Sequence, residues 1–198
     1  MQPIMWVNER YYNVQVKFYQ IIFIFIMAFG VEASPPLQAI ETYLNNLRTV
    51  TATFQQTNSH GLSTGRFYMW RPGLMRLEYD SNQELIIADG TYLTHSRRDL
   101  DEVSSVAIDA TPAAILLQDT ISFKDMNIIS FEKKNGHVFL SLSQDETGDD
   151  GVLTLVLNEN PLLLLEWIIC DAEGHTTRVV LDKIKTGLKL PKDLFVVK

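Results

Sequence analysis

Hydrophobic positions along this chain change period once, and the change separates a helix from a sheet. Leu37, Ile40, Leu44 and Leu47 stand at spacings of three, four and three in PPLQAIETYLNNL, which predicts one buried helix face over 35–47. Pro35 and Pro36 suit the first turn of that helix. Directly afterwards Val50, Ala52 and Phe54 alternate with Thr51, Thr53 and Gln55, the period of a half-buried strand.

The same alternation then recurs in short pieces. Strands are predicted at 65–71, 74–80, 84–88, 91–96, 102–108, 126–133, 137–143, 151–158, 163–171, 175–184 and 194–197. The breaks hold Pro72-Gly73, Asp89-Gly90, Asn135-Gly136, Gly148 to Gly151, Asn158 to Pro161 and Glu173-Gly174. Asp89-Gly90 and Asn135-Gly136 are dipeptides that accept the positive φ of a tight hairpin, so consecutive strands should pair as an antiparallel meander. One stretch interrupts it: DATPAAILLQD, 109–119, offers Thr111 as a cap, Pro112 at the first helical position and AAILLQ as a short helix. That helix is too apolar to lie free in water. The expected fold is mainly β with helices, a curved antiparallel sheet folded around its apolar helices.

The first 33 residues read differently. Ile21 to Met27, IIFIFIM, is an unbroken apolar run behind Arg10 and Lys17, shorter than the roughly 20 residues a membrane-spanning helix needs. Val31 and Ala33 stand three and one residues before a cleavage point at Ser34, so 1–33 is expected to be a secretory signal peptide and 34–198 a single domain. An uncleaved anchor or a start at Met5 are the alternatives. No Cys stands directly after the apolar run, so the lipid-attachment signature of a bacterial lipoprotein is missing and the mature protein is expected to be released into solution. Cys170 is the single cysteine, which excludes an internal disulfide and leaves stability to the core. The formal net charge is -7, which provides no electrostatic footprint for nucleic acid or anionic lipid surfaces.

Catalytic and metal chemistry is weakly represented. Gly61-Leu62-Ser63-Thr64-Gly65 fits the spacing of a nucleophile elbow, but strand-like residues surround it where a strand-to-helix turn is required, and it is expected to be a hairpin loop. DETGDDG, 145–151, begins like a calcium loop yet has Asp150 at the position of the obligatory Gly and Val156 at that of the bidentate Glu. His60, His95, His137 and His175 have no metal-ligand spacing. Neither a catalytic residue, a metal nor a cofactor is expected.

The richest segment is GRFYMWRPGLMRLEY, 65–79. A two-residue Pro72-Gly73 turn would put Tyr68 and Trp70 on one face with Met75, Leu77 and Tyr79, and Phe67 and Met69 on the other with Arg76 and Glu78. Neither face is purely polar. The pattern suits either an ordinary core with exposed rings or an apolar cavity lined by adaptable side chains.

This hairpin, together with Ala88-Asp89-Gly90-Thr91-Tyr92-Leu93, Thr111-Pro112 opening an apolar helix, Trp167 with the Asp171 to Gly174 turn, and the ending from Thr186-Gly187 to Leu194-Phe195, resembles the periplasmic outer-membrane lipoprotein carrier family, LolA. The resemblance implies an incomplete, half-open β-barrel closed by a helical lid over an apolar cavity. It implies a soluble monomeric chaperone of the Gram-negative periplasm that takes lipoprotein acyl chains from an inner-membrane ABC transporter to an outer-membrane acceptor. A related half-barrel that binds or senses lipid without transferring lipoproteins is the alternative, and a hydrolase built on Ser63 a more distant one. The resemblance makes Arg71 the latch that holds the lid by hydrogen bonds. Trp70, Met75, Leu77 and Tyr79, with Pro112, Ile115 and Leu116 from the lid, are expected at the cavity or its mouth. Strict alternation sets Arg71 opposite Met75, so latch and lining agree only if the turn is irregular.

Overall fold

A first helix and a long run of hairpins follow one another along the chain as the change of period predicts. The computed structural model describes residues 37–81 and 83–196; the signal peptide expected over 1–33 lies outside the described residues. Helix α1, Leu37–Asn46, precedes β1 (Thr49–Asn58), β2 (Gly61–Trp70), β3 (Leu74–Tyr79), β4 (Glu84–Asp89), β5 (Tyr92–Arg97) and β6 (Glu102–Ala107). A 3-10 turn at Ile108–Ala110 and helix α2, Ala114–Leu117, lead to β7 (Asn127–Lys134), β8 (His137–Ser143), β9 (Val152–Asn158), β10 (Leu163–Cys170) and β11 (Thr176–Thr186).

Among the described residues these strands form one open sheet of 11, in the order β6-β5-β4-β3-β2-β1-β11-β10-β9-β8-β7. The protein is thus mostly β, a large curved antiparallel sheet with few helices. Two meanders meet where β1 pairs β11, with Phe54 opposite Leu181 and Gln56 opposite Val179. Register shifts in the β1–β11, β9–β10 and β7–β8 pairs add local bend and twist, since an unpaired residue increases the coiling of its strand. Side chains of period two therefore converge on a concave face. Val50, Ala52 and Phe54 of β1 lie there with Val179 and Leu181, and the buried faces of α1 and α2 sit in the same cluster.

Ile40 and Leu44 are almost wholly buried on α1, and each such side chain stabilises by about 1.5–3 kcal/mol relative to exposure. Phe67 of β2 meets Trp167 of β10 at 5.0 Å between ring centroids, a contact across the concave face between the two meanders. Phe54 and Tyr79 pack edge to face at 5.2 Å. Gly65 is opposite Tyr79 in the ladder, and a Cβ there would fall 2.2 Å from the Glu78 carbonyl oxygen and 2.7 Å from the Phe54 ring.

Four expectations are corrected. Trp70 pairs Leu74, so the connection is the three residues Arg71, Pro72 and Gly73 rather than two, and parity reverses. Phe67 and Met69, not Tyr68 and Trp70, share the concave face with Met75, Leu77 and Tyr79. The segment 61–65 is the start of β2, not a loop, because the turn is tighter and sits at Ser59-His60. Helix α2 is only four residues long, and Thr111 does not cap it: its hydroxyl donates back to the Ile108 carbonyl at 2.8 Å. Leu194 and Phe195 belong to a 3-10 turn, Lys192–Phe195, in place of a last strand. That turn packs on the convex side of β3 and β4, where it buries Phe195 alongside Leu85 and Ile87.

Candidate functional site

The inward parity of both meanders leaves an apolar pocket of about 140 Å³ beneath α2. Met75 and Leu77 of β3, with Ile86 and Leu93 from the next two strands, form one wall. Leu153, Trp167 and Val179 form the other, while Ala113 and Leu116 come from the α2 segment. Gln56 of β1 and Thr177 of β11 also reach it. Nothing in this lining is charged. Its character is set by the alternation itself, because most inward residues of these strands are aliphatic, thioether or aromatic.

At the β2–β3 connection lies Arg71, only 1% exposed. Its Nε donates to the Leu47 carbonyl at 3.1 Å and one terminal nitrogen donates to the Leu44 carbonyl. Its backbone N–H donates to the Arg48 carbonyl at 2.8 Å. These acceptors belong to the C-terminal end of α1, where carbonyls lack intrahelical partners and the helix dipole favours a cation. The other terminal nitrogen is buried with no hydrogen-bond partner. Burial, with Arg48 nearby, lowers the guanidinium pKa to about 10, and Asp119 opposes the shift. Arg71 therefore stays charged at neutral pH, buried among carbonyls.

The same three-residue connection reaches α2, since Gly73 N–H donates to the Leu117 carbonyl at 2.9 Å. Further bonds tie α1 to the chain after α2. Asn45 exchanges two 2.8 Å hydrogen bonds with the backbone of Ile121, and Glu41 accepts the Phe123 N–H at 2.7 Å. Arg48 grips Asp119 through both its carbonyl and its carboxylate, at 2.8 and 2.7 Å. Hairpin, α1 and α2 thus form one hydrogen-bonded unit.

The residues expected from sequence fall in different places. Met75, Leu77 and Leu116 line the pocket. Ile115 is buried in the core cluster beside them. Tyr79 is buried just behind, its hydroxyl donating to Gln56 Oε1 at 2.8 Å, and burial pushes its pKa well up. Pro112 stands against Gly151, near enough that a Cβ on the glycine would meet its ring at 2.8 Å. Trp70 is on the convex side, 6.5 Å from the Phe195 ring and 5.8 Å from Lys192 Nζ. Arg71 shares the inward parity of Met69 and Met75, and the carbonyls it holds are those of α1, not α2. Gln56 and Trp167 were missed as site residues; Gln56 was signalled by its place two after Phe54 in the alternation.

No reactive group was found at the pocket among the described residues. Ser63 lies within β2, and His60 Nδ1 is 3.3 Å from Ser59 Oγ rather than from Ser63. The 145–151 stretch is a turn wound about Asp145, whose carboxylate accepts the N–H groups of Thr147, Gly148, Asp149 and Asp150. Asp171, Glu173 and His175 form an exposed trio of possible ligands, with the Asp171 carboxylate already accepting two backbone N–H groups.

An open sheet wrapped around an apolar pocket is the setting in which the comparisons fall. The sequence profile of the family described as "Outer membrane lipoprotein carrier protein LolA" matches residues 45–198, and the chain belongs to that family. It is a family of carriers rather than of enzymes. An outer-membrane lipoprotein carrier protein of Legionella pneumophila (strain Paris) is 28% identical over 189 residues, covering 90% of this chain and 93% of its own. One from Methylococcus capsulatus is 25% identical over 177 residues, covering 81% and 82%. A crystal structure of a LolA superfamily protein from Nitrosomonas europaea aligns with a TM-score of 0.42 at 11% identity, over 81% of this chain and 97% of that one. No helix among the described residues is long and apolar enough to cross a membrane.

Proposed function

We propose that residues 34–198, freed of a secretory leader at 1–33, form a soluble monomeric carrier in the periplasm of a Gram-negative bacterium. It takes the acyl chains of lipoproteins from an inner-membrane ABC transporter and passes them to an outer-membrane acceptor. The observation that carries this reading is the apolar pocket under α2, in a chain of a lipoprotein carrier family.

Each methylene left in water costs about 0.8 kcal/mol, so an acylated protein crosses an aqueous space only if its chains are covered. A pocket of about 140 Å³ has room for one small ring, well below the roughly 300–1,000 Å³ of ordinary ligand sites. The state described here is therefore closed, and cargo requires α1 and α2 to swing away from the sheet as a lid. Arg71 is the latch: its bonds to Leu44 and Leu47 hold α1 down. Its unpartnered nitrogen leaves the closed state incompletely satisfied, which lowers the cost of opening and helps cargo to favour the open state. Met75, Leu77 and Leu116 line the closed cavity, with Tyr79, Ile115 and Pro112 joining as it widens.

The test adds protein purified from the periplasm of expressing cells to spheroplasts that carry the cognate transporter. Lipoproteins are expected in the supernatant, bound to the protein. Spheroplasts that retain all their lipoproteins in the presence of folded protein would overturn the carrier reading.

A further inference from the structure

Of the two polar residues that line the pocket, Gln56 and Thr177, the first is a group that packing does not require. On β1 the inward positions Val50, Ala52 and Phe54 are followed by Gln56, 9% exposed, in the wall of the apolar pocket. Its Oε1 accepts the Tyr79 hydroxyl at 2.8 Å. Tyr79 is itself 6% exposed and fixed by the Phe54 ring, so the amide is held from behind. The amide nitrogen has no protein partner among the described residues. Two N–H donors are thus presented at a pocket whose remaining lining is mostly aliphatic, thioether and aromatic.

Amide donors that face an apolar pocket add affinity for a ligand that brings them an acceptor. A hydrocarbon cannot satisfy them. The chemistry that fits is an apolar chain ending in an acceptor, which is the carbonyl that joins an acyl chain to its glyceryl oxygen or to an amine. We infer that Gln56, oriented by Tyr79, is a polar subsite that hydrogen-bonds the head carbonyl of one bound acyl chain. The inference rests on the proposed acyl-carrier function and deepens it. Gln56 sets where along the pocket the chain begins, so that methylenes extend toward Leu77 and Leu116 and the polar stem is left outside.

The test measures displacement of an apolar fluorescent dye from the purified protein by three ligands of equal length: decanoic methyl ester, its N-methyl amide, and the matching alkyl ether, which lacks the carbonyl. One neutral hydrogen bond corresponds to roughly three- to tenfold in affinity. The ester, the amide or both should bind tighter than the ether by that factor, and which of them does so identifies the oxygen-linked or nitrogen-linked chain. In Gln56→Leu/Tyr79→Phe the preference should vanish, so that ester, amide and ether displace the dye alike. Removing both partners together leaves no orphaned hydroxyl, a change that is near neutral for stability, and circular dichroism checks the fold. Equal binding of ester, amide and ether by the unaltered protein overturns the subsite but leaves the carrier reading standing. Failure of all three to displace the dye counts against both.

Discussion

Arg71 is a cation buried without a carboxylate, and its effect is local to the two carbonyls it reaches. Arg71→Leu removes a desolvated charge and fills similar volume, while leaving the α1 carbonyls short of a donor; the two effects oppose each other. The variant should stay folded, losing at most about 1–2 kcal/mol, whereas amide exchange over 44–48 should rise by about tenfold as α1 lifts more often. Directional lipoprotein transfer should fall with it. Unchanged exchange and transfer would remove Arg71 from the latch role. Gly65 makes a different kind of demand. Gly65→Ala forces a methyl group into the Glu78 backbone and the Phe54 ring, and should cost about 1–3 kcal/mol in denaturant unfolding. That glycine stood out in the sequence as the end of a nucleophile motif; its physical reason is room for an aromatic ring.

Among the elements, the 145–151 turn gives a pH-dependent signal. The Asp145 carboxyl is held below the usual carboxylate range, chiefly by the Asp150 N–H and then by those of Gly148 and Thr147. A depressed carboxyl contributes stability that is present above the unfolded pKa and is lost as pH falls through the folded one. The amide resonances of Thr147, Gly148 and Asp150 should therefore shift upfield together on acidification, and Asp145→Asn should show the acid-form positions at neutral pH. Most strands were legible because alternation and turn dipeptides are local: Asp89-Gly90 and Asn135-Gly136 mark the ends of hairpins within a residue or two. The β2–β3 parity was not, since whether Arg71 belongs to a strand or to the turn depends on what its side chain finds across space. Likewise the shortness of α2 and the docking of Phe195 on the convex face are set by tertiary contact. The site followed the same divide. Met75, Leu77 and Leu116 could be named from pattern and resemblance, while the Gln56–Tyr79 bond joins residues whose partnership no spacing announces.

For the whole molecule, the sheet has a concave side with the apolar pocket and a convex side partly covered by the 3-10 turn Lys192–Phe195. Photocrosslinkers at Met75, Leu77 and Leu116 should label an acyl chain, and one at Trp70 should not, because that ring is occupied by Phe195 and Lys192 on the far side. Labelling from Trp70 with silence from Leu77 would reverse the assignment of faces. The pairing of β1 with β11 has a kinetic meaning as well. Thr53 meets Asp182 across 129 positions of chain, and contacts so distant in sequence make closure slow, on the scale of milliseconds to seconds. Each meander can zip along its own hairpins, but the seam between them waits for β11, the last strand described. The two halves cannot join until Thr186 has left the ribosome, so the concave face that both must build stays an open half until then.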